Sequence, residues 1–135
     1  KKELNDILVP GTHASTFGGN AVACSAGIAV FETIEQENLL ESAVEKGSYI
    51  IEELNKLKEK YSNIIKEVRG LGVMIGVELA MPGKDIVDKC MQAKLLINCT
   101  HENVLRLMPA LNVTTEEIDK AISILDKVLD TVSKE

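Results

Sequence analysis

Aromatic side chains are scarce in this 135-residue sequence: they make up 3% of it, and tryptophan is absent. Isoleucine, leucine, valine and alanine must therefore supply the packing of any core. Long apolar runs are lacking as well, so no segment is predicted to span a bilayer. The N-terminus shows no signal-peptide pattern. Three widely spaced cysteines fit reduced thiols, so we expect a cytoplasmic protein, with no membrane partner.

Basic residues are outnumbered by acidic ones. The formal net charge of −6 argues against nucleic acid as a partner. The three cysteines, Cys24, Cys90 and Cys99, are widely spaced and odd in number. This predicts reduced thiols rather than a disulfide framework. Cys99 and His101 alone are too few ligands for a metal ion, so no metal site is predicted.

Apolar periodicity predicts the element order helix, helix, strand, strand, helix, strand, strand, helix. The helices are expected over residues 20–35, 38–61, 84–93 and from 114 or 115 to 132. The strands are expected over residues 64–69, 73–79, 95–99 and 104–108. From about residue 37 onward, this order predicts an α+β fold in which helices cover one face of a small, mostly antiparallel sheet.

Three local features add to this prediction. Gly47 lies on the apolar stripe of the second helix, where close packing would offset its poor helix propensity. Thr114 and Glu117 have the spacing of a capping box at the start of the last helix. Asn103, in the turn between the last two strands, is expected at positive φ.

A loop rich in hydroxyls and glycines precedes the first helix. Ser15, Thr16, Gly18 and Gly19 come just before the probable helix start at Asn20. Hydroxyls donate hydrogen bonds, glycines let a ligand approach the backbone, and a helix start has unpaired N–H groups. This combination is suited to a phosphate, but an ordinary loop with an N-cap is equally compatible with it. His13 beside Ser15 lacks a third orienting group, so no catalytic residue is predicted.

Arg106 is a lone cation within an apolar strand. Strand alternation places it on the face opposite Leu105 and Leu107, where its planar fork could bind a carboxylate. The alternative is a structural ion pair with one of the 21 acidic residues. Arg69 is in a similar position, but it borders the turn at Gly70, which favours a structural role.

Three segments resemble motifs of the class III aminotransferases, which depend on pyridoxal phosphate. They are residues 12–20 (THASTFGGN), residues 69–79 (RGLGVMIGVEL), and residues 96–100 (LINCT) together with 103–109 (NVLRLMP). The last segment resembles the acetylornithine aminotransferase branch of the family. The motifs occur in the family's order and together cover nearly the whole chain. Ala14, Ala21-Val22 and Lys94 depart from the family pattern, the last standing where a glycine is common.

The resemblance implies the C-terminal part of a fold-type I enzyme. Residues 1–36 would end the large cofactor-binding domain, and residues 37–135 would form the small C-terminal α+β domain. The family's catalytic lysine, which forms a Schiff base with the cofactor, lies upstream of the matching segments. Lys1 and Lys2 do not match it, so this chain alone is expected to be inactive and to hold no cofactor.

The resemblance also implies roles for three residues. Ser15 and Thr16 would reach the cofactor phosphate of the neighbouring subunit in a homodimer, and Arg106 would bind the substrate α-carboxylate. The implied reaction moves the amino group of N-acetylornithine to 2-oxoglutarate, in arginine biosynthesis. The alternatives are an aminotransferase for ornithine, succinylornithine or 4-aminobutyrate, or a non-catalytic α+β module that binds a small anion.

Overall fold

The structure is a computed structural model that describes residues 7, 9, 11, 12 and 14–134. It divides into two compact units, Lys1–Glu37 and Asn38–Glu135. Among the described residues, no helix combines the length and the hydropathy that crossing a membrane requires. The assignment of the first unit to a larger cofactor-binding domain stays a prediction.

The first unit contains a loop and one helix, α1, over Ala21–Gln36. The helix begins where the sequence predicted, because Asn20 caps it: its side-chain oxygen accepts a hydrogen bond of 3.0 Å from the backbone N–H of Ala23. No residue of α1 is buried, although Phe31 and most of its neighbours are apolar.

The second unit contains three helices and a four-stranded sheet. In chain order its elements are α2 (Leu39–Lys60), β1 (Ile65–Leu71), β2 (Met74–Leu79), α3 (Lys84–Gln92), β3 (Asn98–Thr100), β4 (Val104–Leu107) and α4 (Thr115–Val132). The strands lie in the order β1-β2-β4-β3, and every neighbouring pair is antiparallel. The predicted α+β fold is therefore confirmed.

The core lies between one face of this sheet and the helices. Ile75 and Val77 of β2 and Leu105 of β4 are buried, together with Leu54 of α2 and Leu129 of α4. Because side chains alternate along a strand, the residues between them point to the other side of the sheet. We call that other side the outer face.

The glycine on the apolar stripe of α2 packs against the β1–β2 turn. A Cβ atom at position 47 would lie 2.1 Å from the carbonyl oxygen of Gly72, and Gly72 itself has a φ of +53°. The helix backbone therefore meets the turn directly, with no room for a side chain. The close packing predicted for Gly47 is confirmed.

Polar groups join the C-terminal end of α2 to α4. The Asp126 carboxylate accepts hydrogen bonds of 2.7 Å from the Lys60 ammonium and from the Tyr61 hydroxyl. The Lys60 hydrogen bond, with a contribution from Tyr61, holds the pKa of Asp126 below its usual value. The predicted capping box of Thr114 and Glu117 at the start of α4 is confirmed.

Two details of the second half differ from the prediction. β3 begins at Asn98 rather than at residue 95, because the chain first completes a C-terminal cap of α3. There Lys94 has a φ of +69°, and the backbone N–H of Leu95 donates to the carbonyl of Cys90 at 2.8 Å, as in a Schellman motif. The glycine common at this position in the family would suit that backbone without strain.

The prediction of positive φ at Asn103 is wrong. His101 and Glu102 carry the positive φ values of the turn, +49° and +66°. Asn103 instead pairs with the end of β2: its amide nitrogen donates to the carbonyl of Leu79 at 3.1 Å, and its own carbonyl accepts from the Leu79 N–H at 2.8 Å. Because these two bonds hold Asn103 beside β2, the positive φ values of the turn fall on His101 and Glu102.

We expect Gly47→Ala to destabilise the chain by about 1–3 kcal/mol, because the added methyl group must displace the turn backbone at Gly72. Urea denaturation of the chain measures this loss. Ser48→Ala is the matched control, since Ser48 is the next residue of α2 and is exposed. An unchanged midpoint for Gly47→Ala would contradict the close approach of the two backbones.

Candidate functional site

Four residues form one row across the outer face of the sheet. Gly76 of β2 lies directly opposite Arg69 of β1 on one side and Arg106 of β4 on the other. Arg106 in turn lies opposite Asn98 of β3. We call these four residues the outer row. Two cations thus share one row, with a glycine between them.

The two arginines of the outer row have different partners. The Arg69 guanidinium lies 2.8 Å from the Glu78 carboxylate and 3.1 Å from that of Glu67. Both acids belong to the outer face on β1 and β2. Arg69 is therefore a structural ion-pair residue, as its place beside the turn favoured.

Arg106 has no such partner in the part of the chain that the structure describes. Its Nε donates a hydrogen bond of 3.2 Å to the Asn98 side-chain oxygen, and no carboxylate lies within ion-pairing distance of it among residues 14–134. The side chain is exposed. A structural ion pair of Arg106 therefore has no acidic partner among these residues. No carboxylate there neutralises the guanidinium, and its two terminal amino groups are available to a ligand.

Gly76 keeps the space beside Arg106 open. A Cβ atom at this position would lie 3.3 Å from a methyl carbon of Val104, which is tight but not prohibitive. A larger side chain would extend over the sheet between the two guanidinium groups. The sequence did not indicate which residues lie beside this glycine, because that depends on the strand pairing.

The hydroxyl-rich loop of the first unit carries two side-chain hydroxyls with no described partner. Ser15 and Thr16 are exposed, and neither hydroxyl has a hydrogen-bond partner among the described residues. The Gly18 N–H donates to the Ser15 carbonyl at 3.3 Å, and Gly19 has a φ of +76°. The loop therefore turns back on itself just before α1 and leaves two hydroxyl donors beside a helix start.

Ser15 and Thr16 belong to the first unit and Arg106 to the second. His13 lies outside the described residues. Within those residues, no three His, Cys, Asp or Glu side chains form a group that could hold a metal ion. Burial raises the pKa of the Cys90 thiol to about 11, which keeps this thiol protonated at neutral pH.

Sequence reasoning gave Asn98 no role, although the structure pairs it with Arg106. A short strand with an amide residue next to a lone arginine on the following strand was visible in the sequence. Which residues face each other depends on the register of β3 against β4, and neither strand is long enough to fix that register by alternation. The missing signal was therefore the pairing itself.

Comparisons with known proteins agree on one family. The model of the family described as aminotransferase class-III matches residues 1–129. The acetylornithine aminotransferase of Methanocaldococcus jannaschii is 49% identical over 134 residues, which are 99% of this chain and 33% of that protein. The ornithine aminotransferase of Halalkalibacterium halodurans is 42% identical over 128 residues, covering 95% of this chain and 31% of that protein.

A solved structure gives the same result at the level of the fold. The lysine aminotransferase of M. tuberculosis superposes with a TM-score of 0.86 at 29% identity, over 96% of this chain and 30% of that one. The chain thus spans about a third of the length of the relatives it matches. Three different amino-group donors appear in the names of these three relatives.

Proposed function

The chain belongs to the class III aminotransferases, and on that premise we propose that it forms part of an enzyme that moves the amino group of N-acetylornithine to 2-oxoglutarate. Identity to an acetylornithine aminotransferase of 49% over nearly the whole chain supports this donor. Such an enzyme would act in arginine biosynthesis, in the cytoplasm, as a homodimer. Ornithine is the alternative donor, which the relative of 42% identity supports.

The observation that carries the proposal is the state of Arg106. 2-Oxoglutarate and the glutamate that it becomes both carry an α-carboxylate on the reacting carbon, and a guanidinium binds such a carboxylate through two parallel hydrogen bonds. Arg106 stands exposed on the outer face, with a neutral partner at Asn98 and no acidic partner among the described residues. Its role is to bind and orient the α-carboxylate of 2-oxoglutarate and of glutamate.

Class III aminotransferases use pyridoxal phosphate, and the loop before α1 fits the phosphate of that cofactor. Ser15 and Thr16 offer two hydroxyl donors without described partners, while Gly18 and Gly19 allow close approach of the backbone. These hydroxyls would hold the phosphate of the cofactor that is bound in the neighbouring subunit. When bound, the cofactor supplies an electron sink for the amino-group transfer.

The rest of the chemistry would come from residues outside this chain. We assign residues 1–36 to the end of the large cofactor-binding domain and residues 37–135 to the small C-terminal domain. The division of the chain between Glu37 and Asn38 supports this assignment. The lysine that carries the cofactor would lie upstream, so the chain alone would bind neither the cofactor nor the substrates productively.

Replacement of Arg106 tests the substrate role in the full-length enzyme. Arg106→Lys keeps the charge but loses the planar fork. Transition-state binding of glutamate and of 2-oxoglutarate should therefore weaken by about 2–4 kcal/mol, and kcat/KM for these two carboxylated substrates should fall accordingly. A plain amine without an α-carboxylate should lose much less. Steady-state kinetics with the three compounds, together with the melting temperature, measure the difference.

The matched control is Arg69→Lys, because Arg69 occupies the same row but is held by Glu67 and Glu78. It should affect all three compounds equally. Equal losses for carboxylated and plain substrates in Arg106→Lys, accompanied by a lower melting temperature, would make Arg106 a structural residue and reject the proposal.

Replacement of Ser15 and Thr16 by alanine tests the phosphate role. Each hydrogen bond to a charged phosphate contributes roughly 1.5–3 kcal/mol, so the double variant of the full-length enzyme should release its cofactor more readily on dialysis. Dilution below the dimer dissociation constant should have the same effect. Thr12→Ala is the control, because its hydroxyl already donates to the Val9 carbonyl at 2.7 Å; unchanged cofactor retention in the double variant would leave the loop a simple helix cap.

The chain by itself should show no aminotransferase activity. Titration with pyridoxal phosphate should give no saturable absorbance band from a single lysine, because the family lysine lies outside the matching segments. A stoichiometric band accompanied by turnover would contradict the assignment. Saturable binding of small carboxylates without turnover would favour the anion-binding module instead.

A further inference from the structure

Asn98 is the direct hydrogen-bond partner of Arg106. It lies opposite Arg106 in the pairing of β3 with β4, and its side-chain oxygen accepts a hydrogen bond of 3.2 Å from Nε. β3 spans only Asn98–Thr100 and forms the edge of the sheet. This side-chain contact is therefore made at the sheet margin, on the same outer face as the guanidinium.

The identity of this partner has a chemical consequence. A guanidinium offers two edges to a carboxylate: one formed by Nε and one amino group, the other formed by the two terminal amino groups. A hydrogen bond at Nε occupies the first edge and leaves the second free. An amide oxygen occupies it without neutralising the charge, whereas a carboxylate in the same place would form an ion pair, as Glu78 does with Arg69.

We infer that Asn98 is a positioning residue that holds Nε of Arg106 and so presents the two terminal amino groups to the substrate α-carboxylate. The inference rests on the proposed function, since it requires Arg106 to bind that carboxylate. A side chain with four rotatable bonds, exposed on an open sheet face, loses rotamer entropy when it binds. The Asn98 contact restricts the guanidinium in advance and lowers that cost.

Two variants of Asn98 in the full-length enzyme test this role. Asn98→Ala frees the guanidinium, so KM for glutamate and for 2-oxoglutarate should rise on the order of ten-fold, the effect of one hydrogen bond to a charged group. The kcat should stay within about two-fold, since no reacting atom is touched. KM for a plain amine should not change.

Asn98→Asp has the same shape and adds a charge. The introduced carboxylate should pair with Arg106 and compete with the substrate, so KM for carboxylated substrates should rise further than in Asn98→Ala. Thr100→Ala is the matched control: Thr100 lies on the same strand, opposite Val104 rather than Arg106, and its replacement should leave the ratio of carboxylated to plain substrates unchanged.

Arg106→Lys in the same assay distinguishes a failure of the proposed function of Arg106 from a failure of the positioning role of Asn98. If it shows no selective loss for carboxylated substrates, the proposed function itself fails. If it shows that loss while both Asn98 variants behave like Thr100→Ala, the inference on Asn98 alone is overturned. Equal losses for all substrates in the Asn98 variants, with a lowered melting temperature, would also overturn it, because they would identify a purely structural contact.

Discussion

The approach of the α2 backbone to the β1–β2 turn is the contact on which the second unit depends. Gly47 permits it, because any side chain there would collide with the Gly72 carbonyl. With α2 seated on the turn, the apolar residues of β2 and β4 face the helices. Side chains alternate along each strand, so Arg106 and the rest of the outer row lie on the opposite face.

The two arginines of the outer face carry the same charge but have different hydrogen-bond partners. Arg69 and Arg106 occupy the same row, yet one is neutralised by two carboxylates and the other is held by an amide. The acids lie on β1 and β2, and the amide lies on β3. Gly76 separates the two environments, and a carboxylate ligand meets only one unneutralised guanidinium of the row.

Elements with long apolar periods were predictable from the sequence, and those fixed by pairing were not. The stripe of α2 and the capping box at Thr114 depend on residues close in sequence, so their limits were predicted within a residue or two. The start of β3 and the turn before Asn103 depend on the cap at Lys94 and on hydrogen bonds to Leu79. Strand alternation predicted the side of the sheet on which Arg106 lies. Its contact with Asn98 was not predictable, because it depends on the register of β3 against β4.

The C-terminal cap of α3 lies just before the edge strand that carries Asn98, and its backbone is strained at Lys94. Lys94 holds a left-handed backbone that a glycine adopts more readily, and the reversal it makes carries the chain from α3 toward the edge strand that begins at Asn98. The placement of Asn98 thus depends on a helix terminus that does not belong to the outer row. A change of residue at this terminus would therefore act on the edge strand from outside the outer row, without altering any of its four members.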